Sequence, residues 1–449
     1  MSTVSQVDAI QTRIDAGMQP IRNWQARRIG QIACAAATLF LAQLYLSPAQ
    51  WFPETEPLHL ALVLSIAALG GLLAFRMLTN RPLWLGWRSL ALGIYCTTAV
   101  LSPIWSVDPP SSIHGGLEIA KHFLFFVAVI NALTTPKRIR VAIMLYAFAA
   151  IVPGWGTFWN WWHDELLVEG FRGRWLGVLA DPNHDAMALV AAVPLLLYLV
   201  TVGDRYWKRI VALAGVPVLL MGIIATHSRG GSLGLAAAVV VWALTSKRKL
   251  IAGTLAVLAA AGVFLWAPAS FWARNETIAS YEEDLSVQDR LMAWQVAERI
   301  FKERPLLGVG ESAFLAAWTH YAPIEYGDGQ RYVAHNLQLE VLGDLGVVGL
   351  LGMLVFLGCS LWSAFRARNG EMANEARAVF AALVGYLVCQ QFSGYALSWF
   401  TYALCAFAAC CEHWAPLRRV SEGQPATIPM APLTQSGNAA STSLGALSP

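Results

Sequence analysis

The chain repeats one pattern about a dozen times: a run of roughly twenty apolar residues, bounded by short polar or basic segments. About 20 apolar residues in helical form cross the hydrocarbon core of a bilayer. Candidate spans lie near 27–47, 57–79, 83–105, 116–135, 137–159, 184–203, 208–227, 231–246, 249–271, 337–365, 374–395 and 396–414. The predicted fold is therefore an all-α polytopic membrane protein with about 12 transmembrane helices, forming a single domain over 1–414. Only 13% of the 449 residues are charged, against about 25% in soluble domains, so most of the chain faces lipid or other helices. A net charge of +3 is too small to argue for a nucleic-acid partner. The first 25 residues lack an apolar core with a cleavage site, so no removable signal peptide is expected. All seven cysteines fall in or beside apolar stretches without a C-x-x-C pair and read as small core residues.

Basic residues orient the spans, because lysine and arginine accumulate on the cytoplasmic side. With the N-terminus inside, most of the 31 basic residues fall in cytoplasmic segments, for example Arg76, Arg81 and Arg88, then Lys137, Arg138 and Arg140, then Lys247, Arg248 and Lys249. Both termini are then cytoplasmic, and 415–449, rich in Pro, Ser, Thr, Ala and Gly, reads as a disordered cytoplasmic tail. Arg172, Arg174, Arg229, Arg274, Arg290, Arg299, Lys302, Arg304 and Arg331 fall outside, with Lys121 near the outer end of the fourth span. Topology does not require cations there, and anion binding explains them.

The largest outside segment, about 271–335 between spans nine and ten, opens a helix at Ser286-Val287-Gln288-Asp289, a capping-box pattern. Leu291, Trp294, Ala297 and Phe301 then recur at helical spacing, which predicts an amphipathic helix able to lie at the interface. The acidic run Glu282-Glu283-Asp284 reads as solvated loop. Three arginines from separate outside segments stand out. Arg174 lies in the loop Phe171–His184, where Pro182-Asn183 launches a helix capped by Asp181 or Asn183. Arg229 lies in the turn Thr226-His227-Ser228-Arg229-Gly230-Gly231, and Arg290 in the first turn of the amphipathic helix, where anions are favoured. Arg174 and Arg229 can instead be interfacial arginines that snorkel toward the headgroups. Guanidinium forks bind phosphate oxygens bidentately and stay charged near a low-dielectric surface. They would neutralise a pyrophosphate leaving group without a metal, and the sequence has no D-x-D pair to hold one. His335, where the chain re-enters apolar sequence, titrates near neutrality when unperturbed and can act as general base on a hydroxyl; a helix cap or interfacial hydrogen-bonder is the alternative. A transporter reading is disfavoured, because the unusual charges gather at one face rather than mid-membrane and no internal repeat is visible.

At these residues the sequence resembles the O-antigen ligase and polymerase superfamily. The resemblance rests on four motifs in order: Arg174-x-x-Gly177 followed by Pro182-Asn183; Ser228-Arg229-Gly230; Arg290 and Trp294 ahead of Pro305-Leu306-Leu307-Gly308-Val309-Gly310; and His335-Asn336-x-x-Leu339-x-x-Leu342-Gly343-Asp344-Leu345-Gly346-x-x-Gly349. It implies a membrane glycosyltransferase of the GT-C-like, lipid-linked-donor class in a bacterial inner membrane, with its active site facing the periplasm and no cofactor. It further implies transfer of an O-antigen polysaccharide from undecaprenyl diphosphate to a hydroxyl of lipid A–core oligosaccharide, with inversion. In that reading His335 is the base, Arg174, Arg229 and Arg290 hold the donor diphosphate, and Lys121, Arg172, Asn336 and Asn183 assist. A protein O-oligosaccharyltransferase or O-antigen polymerase using the same donor shares these motifs; chain length and the one dominant outside loop favour the ligase.

Overall fold

Alanine, leucine and other good helix formers fill the apolar runs, and each run folds as helix. The computed structural model describes residues 3–276, 285–322 and 331–415, with side chains from 23 onward and, in the helix beginning at 285, from 287 onward. In chain order the helices are α1 (Thr3–Leu46), α2 (Pro48–Trp51), α3 (Leu60–Thr79), α4 (Trp87–Leu101), α5 (Pro109–Ala132), α6 (Pro136–Ala149), α7 (Ile151–Trp162), α8 (Pro182–Val202), α9 (Tyr206–Ala225), α10 (Arg229–Thr245), α11 (Lys249–Trp266), α12 (Ala269–Glu276), α13 (Leu285–Glu303), α14 (Phe314–Tyr321), α15 (Leu337–Ala367), α16 (Ala373–Gln390) and α17 (Trp399–Glu412). Every predicted span has a helix, but among the described residues 8 are long and apolar enough to cross a membrane by length and composition. The others fall short because α4, α10 and α17 are brief and α16 opens on Asn374, Glu375 and Arg377. The predicted tail beyond 415 and the acidic run Glu282-Glu283-Asp284 lie outside the described residues.

Helix α8 is apolar all round and is the core of the bundle: Asp185 through Leu199 are buried against α9, α10 and α16. Small residues let α10 and α16 touch. A Cβ on Gly385 would lie 2.5 Å from that of Ala238, the small-residue approach that substitutes for hydrophobic drive between helices in lipid. Helix α11 is the opposite case. Only Ala252 of it is buried, and Leu250, Phe264 and Leu265 are exposed, an apolar surface suited to lipid.

Arginines at the end of the bundle away from His335 tie helices together. Arg76 donates to the Asn131 side chain at 2.7 Å. Arg88 pairs with Glu412 and Ser363. Arg140 donates to Glu375 at 2.7 Å, and the Tyr198 hydroxyl donates to the same carboxylate at 2.8 Å. Partnering of this kind lets charge be buried beside an apolar medium.

The other end is organised by a break in α15. Gly346 has φ 63 and ψ −161, a region essentially reserved for glycine. Into this break the segment 305–310 inserts. Val309 and Gly310 donate to the carbonyls of Gly343 and Asp344 at 3.0 and 2.8 Å, and Val347 donates to that of Pro305 at 2.9 Å. The Asp344 carboxylate accepts from the backbone N–H groups of Ser312 and Phe314 at 3.0 and 2.9 Å, capping α14 from a distant segment. The predicted amphipathic helix is α13, but it begins at Leu285, so Ser286 lies in its first turn rather than ahead of it. Its buried stripe is Met292, Ala293, Val296, Ala297 and Ile300, packed with Trp318 of α14 and Ala334. Leu291, Trp294 and Phe301 are only half-buried. Protein rather than the membrane interface covers this apolar face.

The interlock yields a test. Gly346→Ala places a Cβ against the Leu306 backbone in a strained conformation, at a cost of order 1–3 kcal/mol. The thermal unfolding midpoint of the purified protein in detergent should fall; an unchanged midpoint would mean that the break does not hold this end together.

Candidate active site

Asp181 builds one wall by capping α8. Its Oδ1 accepts from the N–H groups of Asn183 and His184 at 2.8 and 3.1 Å, with Pro182 at the first helical position. The Asn183 side chain is thereby fixed, and its Oδ1 accepts from Arg172 Nη2 at 2.7 Å and from Ser228 Oγ at 3.0 Å. Arg172 is only 5% exposed. Its other nitrogens reach the Thr226 carbonyl at 3.0 Å and Glu169 at 3.1 Å. Glu169 also pairs with Arg274 at 3.3 Å, so α12 joins the same network. The main chain closes the arrangement where Gly173 donates to Ala225 at 2.9 Å.

Residues 226–228 turn the chain between α9 and α10. His227 sits at φ 50; its Nδ1 donates to the Ala225 carbonyl and its Nε2 pairs with the Ser270 hydroxyl, each at 3.1 Å. These contacts make it structural. Ser228 caps α10 by accepting from Gly231 at 3.2 Å, and Arg229 follows, buried, at the head of α10.

His335 lies on the far side of this wall, in the left-handed region at φ 48. Trp294 of α13 donates to the Ala334 carbonyl at 2.8 Å, which fixes Arg290, about one helical turn earlier, relative to the histidine. Asn336 caps α15 by accepting from Leu339 at 3.1 Å and donates to the Gln391 carbonyl at 3.2 Å. His335 Nδ1 is buried without a hydrogen-bond partner among the described residues. Burial pushes the imidazole down to about 4, the Arg290, His184 and Arg172 charges push the same way, and Asp181 opposes them. The ring is therefore neutral at ordinary pH, with a lone pair free to accept a proton.

Among the predicted residues, Arg172, Arg290 and Asn336 are brought to His335, while Asn183 and Arg229 stand on the adjoining network. Arg174 is held within its own loop, donating to the carbonyls of Leu166 and Ala180 at 3.1 and 3.2 Å. Lys121 is exposed and pairs with Glu118 at 2.6 Å. Sequence reasoning missed the segment 391–398. Predicted as an almost loopless hairpin, it separates α16 from α17 and packs on His335-Asn336, with Gly394 so close to the Asn336 backbone that a Cβ would overlap it. The Glu340 carboxylate accepts from Ala396 in this segment at 3.3 Å. The run Gln390-Gln391-Phe392-Ser393-Gly394 was the available signal, three polar residues and a glycine inside an apolar stretch.

Within the described residues the site combines a neutral base, several guanidinium groups on separate segments, and no group of three or more His, Cys, Asp or Glu placed to hold a metal. It suits deprotonation of a hydroxyl beside a strongly anionic group.

Residues 214–354 match the family model for O-antigen ligase. That stretch contains Arg229, Arg290, His335 and the interlock at Gly346, and leaves out Arg172 and Arg174. The chain is 30% identical over 290 residues to an O-antigen ligase of Pseudomonas aeruginosa. The aligned part spans 62% of this chain and 63% of that relative, a little under two thirds of its length. On these matches the chain is similar to O-antigen ligases across the part that carries Arg229, Arg290 and His335.

Proposed function

We propose that the protein is an inner-membrane glycosyltransferase that moves an O-antigen polysaccharide from undecaprenyl diphosphate to a hydroxyl of lipid A–core oligosaccharide, at the periplasmic face and without a metal. The observation that carries this reading is the neutral, unpartnered imidazole of His335 among the charges of Arg290 and Arg172. The relative's description as an O-antigen ligase supports the substrate class. The basic residues at the opposite end support an outward-facing site by the positive-inside rule.

In the reaction, the acceptor hydroxyl gives its proton to His335 as its oxygen attacks the anomeric carbon of the donor. The bond from that carbon to the diphosphate oxygen breaks, and the diphosphate departs with the electron pair. One displacement inverts the anomeric centre. Arg172, Arg229 and Arg290 stabilise the departing charge, with Arg172 taking the part that the motif spacing gave to Arg174. The free site disfavours imidazolium formation, because burial first and then the guanidinium groups push the histidine down. An arriving diphosphate neutralises them and raises the imidazole's proton affinity. The donor thus strengthens the base it needs.

The deciding experiment is transfer in vitro from a defined lipid-linked glycan to lipid A–core. His335→Ala should abolish product, and capped product at the wild-type rate would remove the base assignment. Losing one stabiliser of developing charge costs roughly 10²–10³ in rate, so Arg172→Lys, which keeps charge but loses the fork, should fall toward that range. Arg174→Ala should stay within about tenfold of wild type; the reverse ranking would return the role to Arg174. In pH profiles the acid limb of kcat, which reports the donor-bound enzyme, should lie at higher pH than that of kcat/KM, which reports the free enzyme. Coincident limbs would mean that the diphosphate does not act on His335.

A further inference from the structure

A cavity of about 150 Å³ opens between α5, the head of α8, the 391–398 segment and α17, lined by His114, Glu118, His184, Tyr395 and Trp399 together with Leu397 and other apolar neighbours. At about 30 Å³ per liquid water it holds about five waters, the size of a single pyranose ring. His184 and Tyr395 stack with ring centroids 4.8 Å apart and make one wall. Glu118 makes another. Its contacts with Lys121 at 2.6 Å and His114 at 4.0 Å both use Oε1, and Oε2 has no hydrogen bond among the described residues. Burial, then the Glu340 and Glu118 carboxylates, hold the Tyr395 phenol above its ordinary range, so it remains a hydroxyl able to donate.

Two features join this cavity to the active site. His184 belongs to both, lining the cavity while standing close enough to His335 that a proton on one imidazole disfavours a proton on the other. The segment that carries Tyr395 also presses on the Asn336-Leu337 backbone, next to His335, through Gly394 and accepts from the Asn336 side chain through Gln391.

We propose that this cavity is a subsite for an uncharged sugar ring of the acceptor, holding it so that its hydroxyl reaches His335. The chemistry favours that occupant. Ring faces of Tyr395 and Trp399 offer apolar area to the carbon–hydrogen face of a pyranose. Carboxylate, imidazole and phenol supply acceptors and donors for its hydroxyls, and a mostly apolar pocket with a few placed polar groups is the usual form of a small-ligand site. A diphosphate would meet the Glu118 carboxylate, whereas the arginine cluster already offers it opposite charge. A hydrocarbon tail would desolvate the Glu118 carboxylate and offer no hydrogen bond to its Oε2 or to the His184 imidazole.

The identity of the ring as the acceptor's rests on the transfer reading above, whereas sugar binding does not, and the test separates them. The full-length protein in nanodiscs is mixed with core oligosaccharide that has been freed of lipid A and dephosphorylated, and saturation-transfer NMR reads sugar protons near the protein. The wild type should saturate the oligosaccharide, and Tyr395→Ala and Glu118→Gln should each reduce the signal at least fivefold. His114→Ala, at an exposed side chain, carries the test should the others fail to fold. In the transfer assay the same variants should raise the acceptor KM about tenfold or more while leaving the donor KM within twofold. Absent wild-type saturation, or equal saturation in all folded variants, overturns the subsite. Saturation lost in the variants without wild-type transfer keeps the sugar site and rejects the transferase reading. A raised donor KM with unchanged acceptor KM assigns the cavity to the donor and overturns the proposal.

Discussion

A single break in a long membrane helix sets the geometry of this protein. α15 cannot run straight through Gly346, and the segment 305–310 fills the gap with backbone hydrogen bonds that satisfy both sides. An unpaired amide or carbonyl costs several kcal/mol in hydrocarbon, so the break persists only while that segment stays in place. The short upper piece of α15 is thereby free to leave the axis of the lower piece and to present His335 and Asn336 at its head. Asp344 couples the same point to α14, whose N–H groups it caps. Position of His335, order of the insert and shape of the helix are one arrangement rather than three.

Arginine does two different jobs at the two ends of the bundle. Away from the site, Arg76, Arg88 and Arg140 are closed into pairs with Asn131, Glu412 and Glu375, where the fork geometry of guanidinium suits several acceptors at once. At the site, Arg172 spends most of its donors on Thr226, Asn183 and Glu169 and still lowers the proton affinity of His335. Its place is fixed while its field reaches the histidine. On the proposed transfer reading that combination is preorganisation, with the charge oriented before substrate arrives and no reorganisation needed as negative charge develops.

Much of this was legible in the sequence, because apolar length and basic residues between spans are properties of single segments. The spans each received a helix, and His335, Arg229 and Arg290 were picked out as cations or a base where topology had no use for them. What escaped depended on contacts between segments. Arg172 and Arg174 are two residues apart in one loop, and spacing carries no sign of which one Asn183 and Thr226 will hold. Leu291 and Phe301 have the right period for a helix face, yet Met292, Ala293 and Val296 are buried, because α14 and α15 approach from a slightly different side. The 391–398 segment vanished into an apolar run, since Phe392, Ala396, Leu397 and Trp399 keep hydropathy high across a stretch that is not helix. The Pro305–Gly310 motif stands in the sequence without any sign of its place as a wedge, because that place depends on a partner about forty residues away.

The isolation of α11 has a consequence for how the molecule is held. Beyond it the chain enters α12, where Ser270 meets His227 and Arg274 meets Glu169, so one end of the arginine network hangs from a helix that packs on protein through one face only, at Leu255, Ala259 and Val263. Lipid acyl chains supply the contacts that neighbouring helices supply elsewhere. On the proposed transfer reading the bilayer is then a structural component of the site, its thickness and fluidity acting through the angle at which α11 delivers α12 and Arg274.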